Sequence, residues 1–238
     1  MRKFAKISAV LAAMVLALAF AGCSDGGNGS ESGTSSTKNI LAGKTYYSID
    51  FEKVEYTSES KEAKIRVGMF AFDSNGQKVK HTELAYDFKN EAVDKNNDIE
   101  SDVLDYSVSG STLTVKAPKG VGEDLIATIK SDGSIDGMKE LKGNLYAFAK
   151  AEPDSEELLA TAYIIIVDGT ACNLEQHTYS SKNGLDDPFV LGGTVSGSTL
   201  EFTSERKDGQ TVKVPGTLSD KEIKMSDSPD GPLTLKRM

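Results

Sequence analysis

VSGSTL stands at residues 108–113 and again at residues 195–200. Working outward from the two copies, more correspondences appear. Downstream, ATIKSDGSI (127–135) meets GTLSDKEIK (216–224) after a two-residue adjustment. Upstream, LAGKTYY (41–47) and LKGNLYA (141–147) share Leu-x-Gly-x-x-Tyr. FDSNGQ (72–77) and VDGT (167–170) mark a turn at a similar stage of each half. Four landmarks in one order predict an internal duplication, with units at 39–140 and 141–238.

Alternation gives each unit its structure. In STLTVKA (111–117), Leu113, Val115 and Ala117 share one face and Thr112, Thr114 and Lys116 the other. In the second copy Leu200 and Phe202 alternate with Glu201 and Thr203. Period two with Thr and Val is the pattern of a half-buried strand. VSGS between two such runs predicts a tight hairpin in which Gly110 and Gly197 supply a positive φ. AKIRVGMFA (63–71) alternates likewise, and the continuous apolar run AYIIIV (162–167) predicts a strand covered on both sides. The second unit reads as eight strands, near 143–150, 159–167, 171–180, 189–196, 198–204, 210–217, 221–226 and 232–237. The first reads as at least six, with a long polar insert at 89–101 and a short last strand near 137–142. PDSEELLA (153–160) is either one short capped helix or a hairpin loop. The expected fold is all-β: two tandem up-and-down antiparallel meanders that close as small barrels, because closure removes exposed edges. The alternative is one larger barrel or sandwich built from the two halves.

The N-terminus reads differently. MRKFAK (1–6) carries Arg2, Lys3 and Lys6, and ISAVLAAMVLALAFAG (7–22) is an apolar run of signal-peptide length. Phe20-Ala21-Gly22-Cys23 resembles a bacterial lipobox. That resemblance implies a signal peptide at 1–22, cleavage before Cys23, and acylation of its sulfur and new amino group with palmitate-type chains. Two or three chains make a lasting membrane anchor, at about 0.8 kcal/mol per buried CH₂. Ser24 follows, where the enteric type of envelope reads Asp as retention in the inner membrane; a cell with an outer membrane would place the protein there. SDGGNGSESGTSSTK (24–38) holds no large apolar residue and reads, with Cys23, as a lipidated flexible tether at 23–38. Its mean reach is roughly 20 Å.

The order L-x-G-K-T-Y-Y, then a D-G-type hairpin, then Y-x-V-S-G-x-x-L resembles the lipocalin-like β-barrel domains of bacterial lipoproteins. Classical lipocalins carry Gly-x-Trp on the first strand; this chain has no Trp, and Tyr46 and Tyr146 stand nearest that place. The resemblance implies a binding protein of the cell envelope, whose ligand is either a small apolar molecule or another envelope protein; the alternative is a structural or surface interaction lipoprotein with filled barrels that binds a protein partner.

Composition limits the function classes. The chain holds 27 Lys and Arg against 36 Asp and Glu; without the three bases of residues 1–22 the mature chain is more acidic still. That argues against nucleic acid and against charge-driven docking to anionic lipid. With Cys23 committed to lipid, Cys172 in VDGTACNLEQ is single and reads as a buried small hydrophobe. The two histidines, His81 and His177, fall at different distances from the mid-unit turns. No metal-ligand spacing, nucleophile motif or phosphate loop appears, so neither catalysis nor a cofactor is expected. In DKNNDIESD (94–102), oxygen side chains alternate as in a calcium loop, but Ile99 takes the place of the required Gly and Asp105 that of the final Glu. This stretch reads as a solvated loop leading into an edge strand.

Overall fold

The computed structural model describes residues 40–90, 92–118, 122–154, 156–205, 211–226, 228 and 231–238. The expected signal peptide, the expected lipidation site Cys23 and the expected tether lie outside these residues. The described chain is all-β, with no helix.

The first sheet contains β1 (Thr45–Tyr56), β2 (Lys61–Phe72), β3 (Lys78–Lys89), β4 (Ala92–Ser109), β5 (Thr112–Val115), β6 (Leu125–Thr128) and β7 (Lys139–Glu140). Its order is β6-β5-β4-β3-β2-β1-β7, with antiparallel neighbours throughout. The second half contains β8 (Asn144–Pro153), β9 (Leu158–Asp168), β10 (Ala171–Ser180), β11 (Gly184–Leu185), β12 (Phe189–Ser196), β13 (Thr199–Glu205), β14 (Thr211–Leu218), β15 (Glu222–Met225) and β16 (Leu233–Arg237). Setting aside the two-residue β11, these strands pair in sequence and β16 returns to β8, closing an eight-stranded barrel.

Chain length explains why only the second half closes. In both halves the last strand meets the first at the Leu-x-Gly-x-x-Tyr tyrosine: Glu140 opposite Tyr46, and Arg237 opposite Tyr146. Between Ile223 and Lys236 there is room for the β15–β16 hairpin. Between Ile135 and Lys139 stand only Asp136, Gly137 and Met138, too few for two strands. The first sheet therefore curls into a half-barrel, bridged at one point by Ile129 and Ile135.

One expectation changes, and one left open between two forms is decided for the hairpin loop. The 89–101 insert is no loop: β4 starts at Ala92 opposite Lys89 and pairs with β3 on both sides of a register shift, Asp94 lying opposite Asp87 and Asp98 opposite Ala85. Residues 153–160 form no helix; β8 runs to Pro153, the Asp154 N–H donates to the Glu157 carbonyl at 2.8 Å, and β9 begins at Leu158.

Three cores hold the body. Leu41, Tyr46, Phe72, Leu113, Ile129 and their neighbours fill the curl of the first sheet. Tyr146, Ile165, Leu200, Phe202 and Ile223 are among those that fill the barrel. The third core lies between the halves, where Ala63, Ile65, Val67, Leu84, Tyr86 and Phe88 meet the outer wall of β8 and β9. That wall presents Ala147, Ala149, Ala151, Ala160 and Ala162, all buried, and their small side chains let the sheets approach closely. Each fully buried Leu, Ile or Phe contributes about 1.5–3 kcal/mol.

Alternation fixes which face packs, and β1 needs a correction to keep it. The register slips between Phe51 and Lys53, a β-bulge at Glu52. Tyr47, Ile49 and Phe51 before it, and Val54 and Tyr56 after it, therefore all point at the barrel. Along β2 and β3 the buried face switches. Phe70, Phe72 and Val79 point into the curl, whereas Ile65, Val67, Leu84 and Tyr86 point out against the barrel. The inner face of the half with outward apolar residues is left for polar side chains.

Candidate functional site

That polar inner face is the most distinctive surface of the molecule. It is built in rows across β1, β2, β3 and β4. The register sets Ser48, Gly68, Glu83 and Glu100 in one row, and Asp50, Arg66, Ala85 and Asp98 in the next. On the other side, Tyr46, Phe70, His81 and Asp102 form the row that borders the apolar curl.

Arg66 is the centre of charge. Its guanidinium lies 2.9 Å from Asp87, 3.7 Å from Glu83 and 3.8 Å from Glu52, and donates to the Tyr86 carbonyl at 3.4 Å. Lys53 sits between Glu55 and Glu62 at 3.1 and 2.8 Å. Arg66 and Lys53 are thus already engaged, while Glu100, Asp98 and Asp102 have no ion pair among the described residues. Glu83 stands directly opposite Glu100, a like-charge pair that costs stability. Burial pushes the Glu83 carboxyl up; Arg66 pulls it down, and Glu100, Glu52 and Asp87 push it up again.

His81 occupies the border. It is 8% exposed, its ring stacked on Phe70 with centroids 4.6 Å apart. Burial drives its pKa down to about 4 against a weaker upward pull from Asp102, so at neutral pH the ring is uncharged. Neither ring nitrogen makes a hydrogen bond among the described residues. Gly68 explains how the ring fits: a Cβ there would lie 3.2 Å from the Phe70 ring, 3.3 Å from Ser48 Oγ and 3.5 Å from His81 Nε2. The missing side chain lets these three groups converge.

A second polar cluster joins the halves. Tyr47 donates to Glu175 Oε1 at 3.0 Å, while Lys139 and His177 reach Oε2 at 2.8 and 3.0 Å. These partners, with His177 foremost, bring the Glu175 pKa down to about 2 against its partial burial. The cluster spans β1, β7 and β10, and its hydrogen bonds are mutually satisfied, which suits a structural seam.

The residues singled out from sequence fall in several places. Gly110 and Gly197 have φ of +60° and +58° in the β4–β5 and β12–β13 turns. After them, Leu113 lies opposite Val108 and Leu200 opposite Val195, and both leucines are fully buried. Tyr46 and Tyr146 are buried and donate to carbonyls of corresponding turns, Gly133 at 3.0 Å and Ser219 at 3.2 Å. Cys172 faces the barrel core, and burial raises its thiol pKa to about 11. The side chains of 94–96 are outside the described residues, Asn97 holds φ at +60°, and 98–102 is extended strand paired with β3. The two histidines stay apart, one on the inner face and one at the seam. The sequence reading missed Arg66 and the acidic inner face because alternation marks a polar side without saying whether it meets bulk water or a concave surface.

Comparison of the chain with protein-family models, with curated proteins and with solved structures finds no match.

Proposed function

We propose that this is a lipid-anchored protein of the cell envelope that binds a protein partner through its surface and catalyses no reaction. The anchor would be Cys23, the carrier of two or three acyl chains, in the outer membrane where the cell has one. The repeated landmarks support an origin by duplication, one unit then losing the residues that complete its closure.

The observation that carries the choice of partner is the filled barrel. Phe202, Leu200, Ile165, Ile223 and Leu235 are completely buried inside it, packed with Tyr146, Tyr163 and Met225. A carrier of small apolar molecules keeps its interior for the cargo; here side chains occupy it. The test is native mass spectrometry of the mature chain released from detergent. The expected mass is that of the acylated polypeptide alone. A stoichiometric apolar molecule retained with the protein would restore the carrier reading and remove this one.

A further inference from the structure

The inner face of the first sheet combines excess carboxylate with an uncharged acceptor that has no partner. Charge alone would make it only a solvated acidic surface. His81 adds an independent feature: a ring nine-tenths buried, with no hydrogen bond among the described residues, and with Nε2 directed at the space above Gly68. Every side-chain nitrogen and oxygen that is wholly shut from solvent has a hydrogen-bond partner among the described residues, so the unbonded nitrogens of His81 are not wholly shut from solvent. Ser48 Oγ converges on the same space, and Glu83 is the next inward residue on β3. A neutral imidazole, a hydroxyl and a carboxylate together accept the three N–H bonds of an alkylammonium. Arg66 lies 3.7 Å from Glu83 on one side, while Glu100 opposite Glu83 has no ion pair among the described residues, so a further cation at this row meets an uncompensated carboxylate. From Asp102 toward Glu62 the carboxylates of this face outnumber Arg66, Lys53 and Lys64 over several strand positions, at about 3.3 Å each, longer than one ammonium needs. An extended chain with several ammonium groups matches both its charge and its length.

We propose that this face binds a lysine-rich extended segment of the partner protein, one ammonium seating against His81, Ser48 and Glu83. The inference rests on the partner-binding reading and names the chemistry of the partner. Its stacking on Phe70 gives His81 a defined position, so recognition depends on geometry as well as on charge.

The experiment is calorimetric titration of the full acylated chain in detergent with hexalysine, at pH 7.5 and moderate salt, with spermidine as the second probe. Hexalysine is expected to bind, and spermidine at least tenfold more weakly. Glu83→Gln and His81→Phe should each weaken hexalysine at least fivefold. His81→Phe keeps the ring against Phe70 and leaves the charge unchanged at this pH, so a merely electrostatic surface would not respond to it. Asp186→Asn with Asp187→Asn, on the barrel, should change the affinity less than twofold. Gly68→Ala crowds the site without demanding an unusual backbone and should weaken binding in a chain with unchanged circular dichroism. The proposal is overturned by absent hexalysine binding, by equal losses from the barrel variants, by an indifferent His81→Phe, or by spermidine binding as tightly as the peptide. The last result would assign the site to a free polyamine. None of these results moves the mass of the purified chain, which tests the filled-barrel reading separately.

Discussion

The carboxamide of Asn97 pairs with the backbone of Ala149 as a neighbouring strand would. Its Nδ2 donates to the Ala149 carbonyl at 2.9 Å, and its Oδ1 accepts the Ala149 N–H at 2.6 Å. β8 pairs with β16 only at Tyr146 and Ala147, so its edge beyond Ala147 needs other partners. Asn97 supplies two, and the Tyr86 hydroxyl accepts from Ala151 N–H at 2.9 Å. Asn97 holds φ at +60° to do so, and Lys236 donates to its carbonyl at 2.7 Å. Side chains of the half-barrel thus complete the barrel's hydrogen bonding.

Asn97→Ala should therefore destabilise both halves together, by about 2–4 kcal/mol, since it leaves a buried N–H and C=O unpaired. Urea unfolding followed by tyrosine fluorescence and by far-ultraviolet circular dichroism is expected to show one coincident transition, shifted to lower urea. Two separated transitions in the unaltered protein would contradict the shared core.

Stability should fall on acidification below about pH 6.5, and His81 should account for much of it. Its folded pKa of about 4 lies below the ordinary 6.5, so the folded state binds fewer protons there. The penalty is absent above pH 6.5 and grows as pH falls toward 4, reaching on the order of 2–3 kcal/mol. Glu83, with its raised carboxyl, opposes this trend, so the informative quantity is the difference between the protein and His81→Phe. That difference should narrow between pH 6.5 and 4. Glu175 acts lower: its depressed pKa adds stability above pH 4.5 that is lost as pH falls toward 2. Its replacement by Gln should flatten the acid limb of the same curve.

Cys172 should be inert in the native protein. It is 2% exposed, and burial raises its thiol pKa to about 11, which keeps the thiolate scarce at neutral pH. A chromogenic disulfide reagent is expected to label it only in denaturant. Rapid labelling of the native chain would show that the barrel opens easily.

Gly110→Ala and Gly197→Ala should each cost about 1–2 kcal/mol, from the left-handed backbone conformation. Nothing lies within 4 Å of a Cβ at either place, so no clash adds to the strain. The strands that follow feed separate cores, Leu113 that of the curl and Leu200 that of the barrel. The two losses should accordingly add within about 0.5 kcal/mol in the double variant. Strong coupling between them would mean that strain passes through the seam.

Lipidation has its own test. Cys23→Ala should leave an unprocessed or soluble product that takes up no labelled palmitate. A variant still processed and still in the membrane fraction would remove the proposed anchor.

The strands of the second unit could be read from the sequence almost to the residue, because period-two alternation and Gly turns are local properties of the chain. Gly110 and Gly197 were legible for the same reason: a tight hairpin calls for positive φ whatever surrounds it. Closure was not local. Whether a meander becomes a barrel depended on the few residues between Ile135 and Lys139, and on how soon the chain returned to Tyr46 at Glu140. The seam was hidden for a similar reason. Ala147, Ala149, Ala160 and Ala162 look like filler along a strand, and only a second sheet laid against them makes them an interface. Arg66 and His81 belong to the same alternating pattern as the apolar residues beside them. Tertiary packing decided their role, because the sheet turns one face to the curl at Phe70 and the other to the barrel at Ile65. The sequence alone determined strands and turns; the contact between the halves decided which polar side chains were gathered on the inner face and which were left to water.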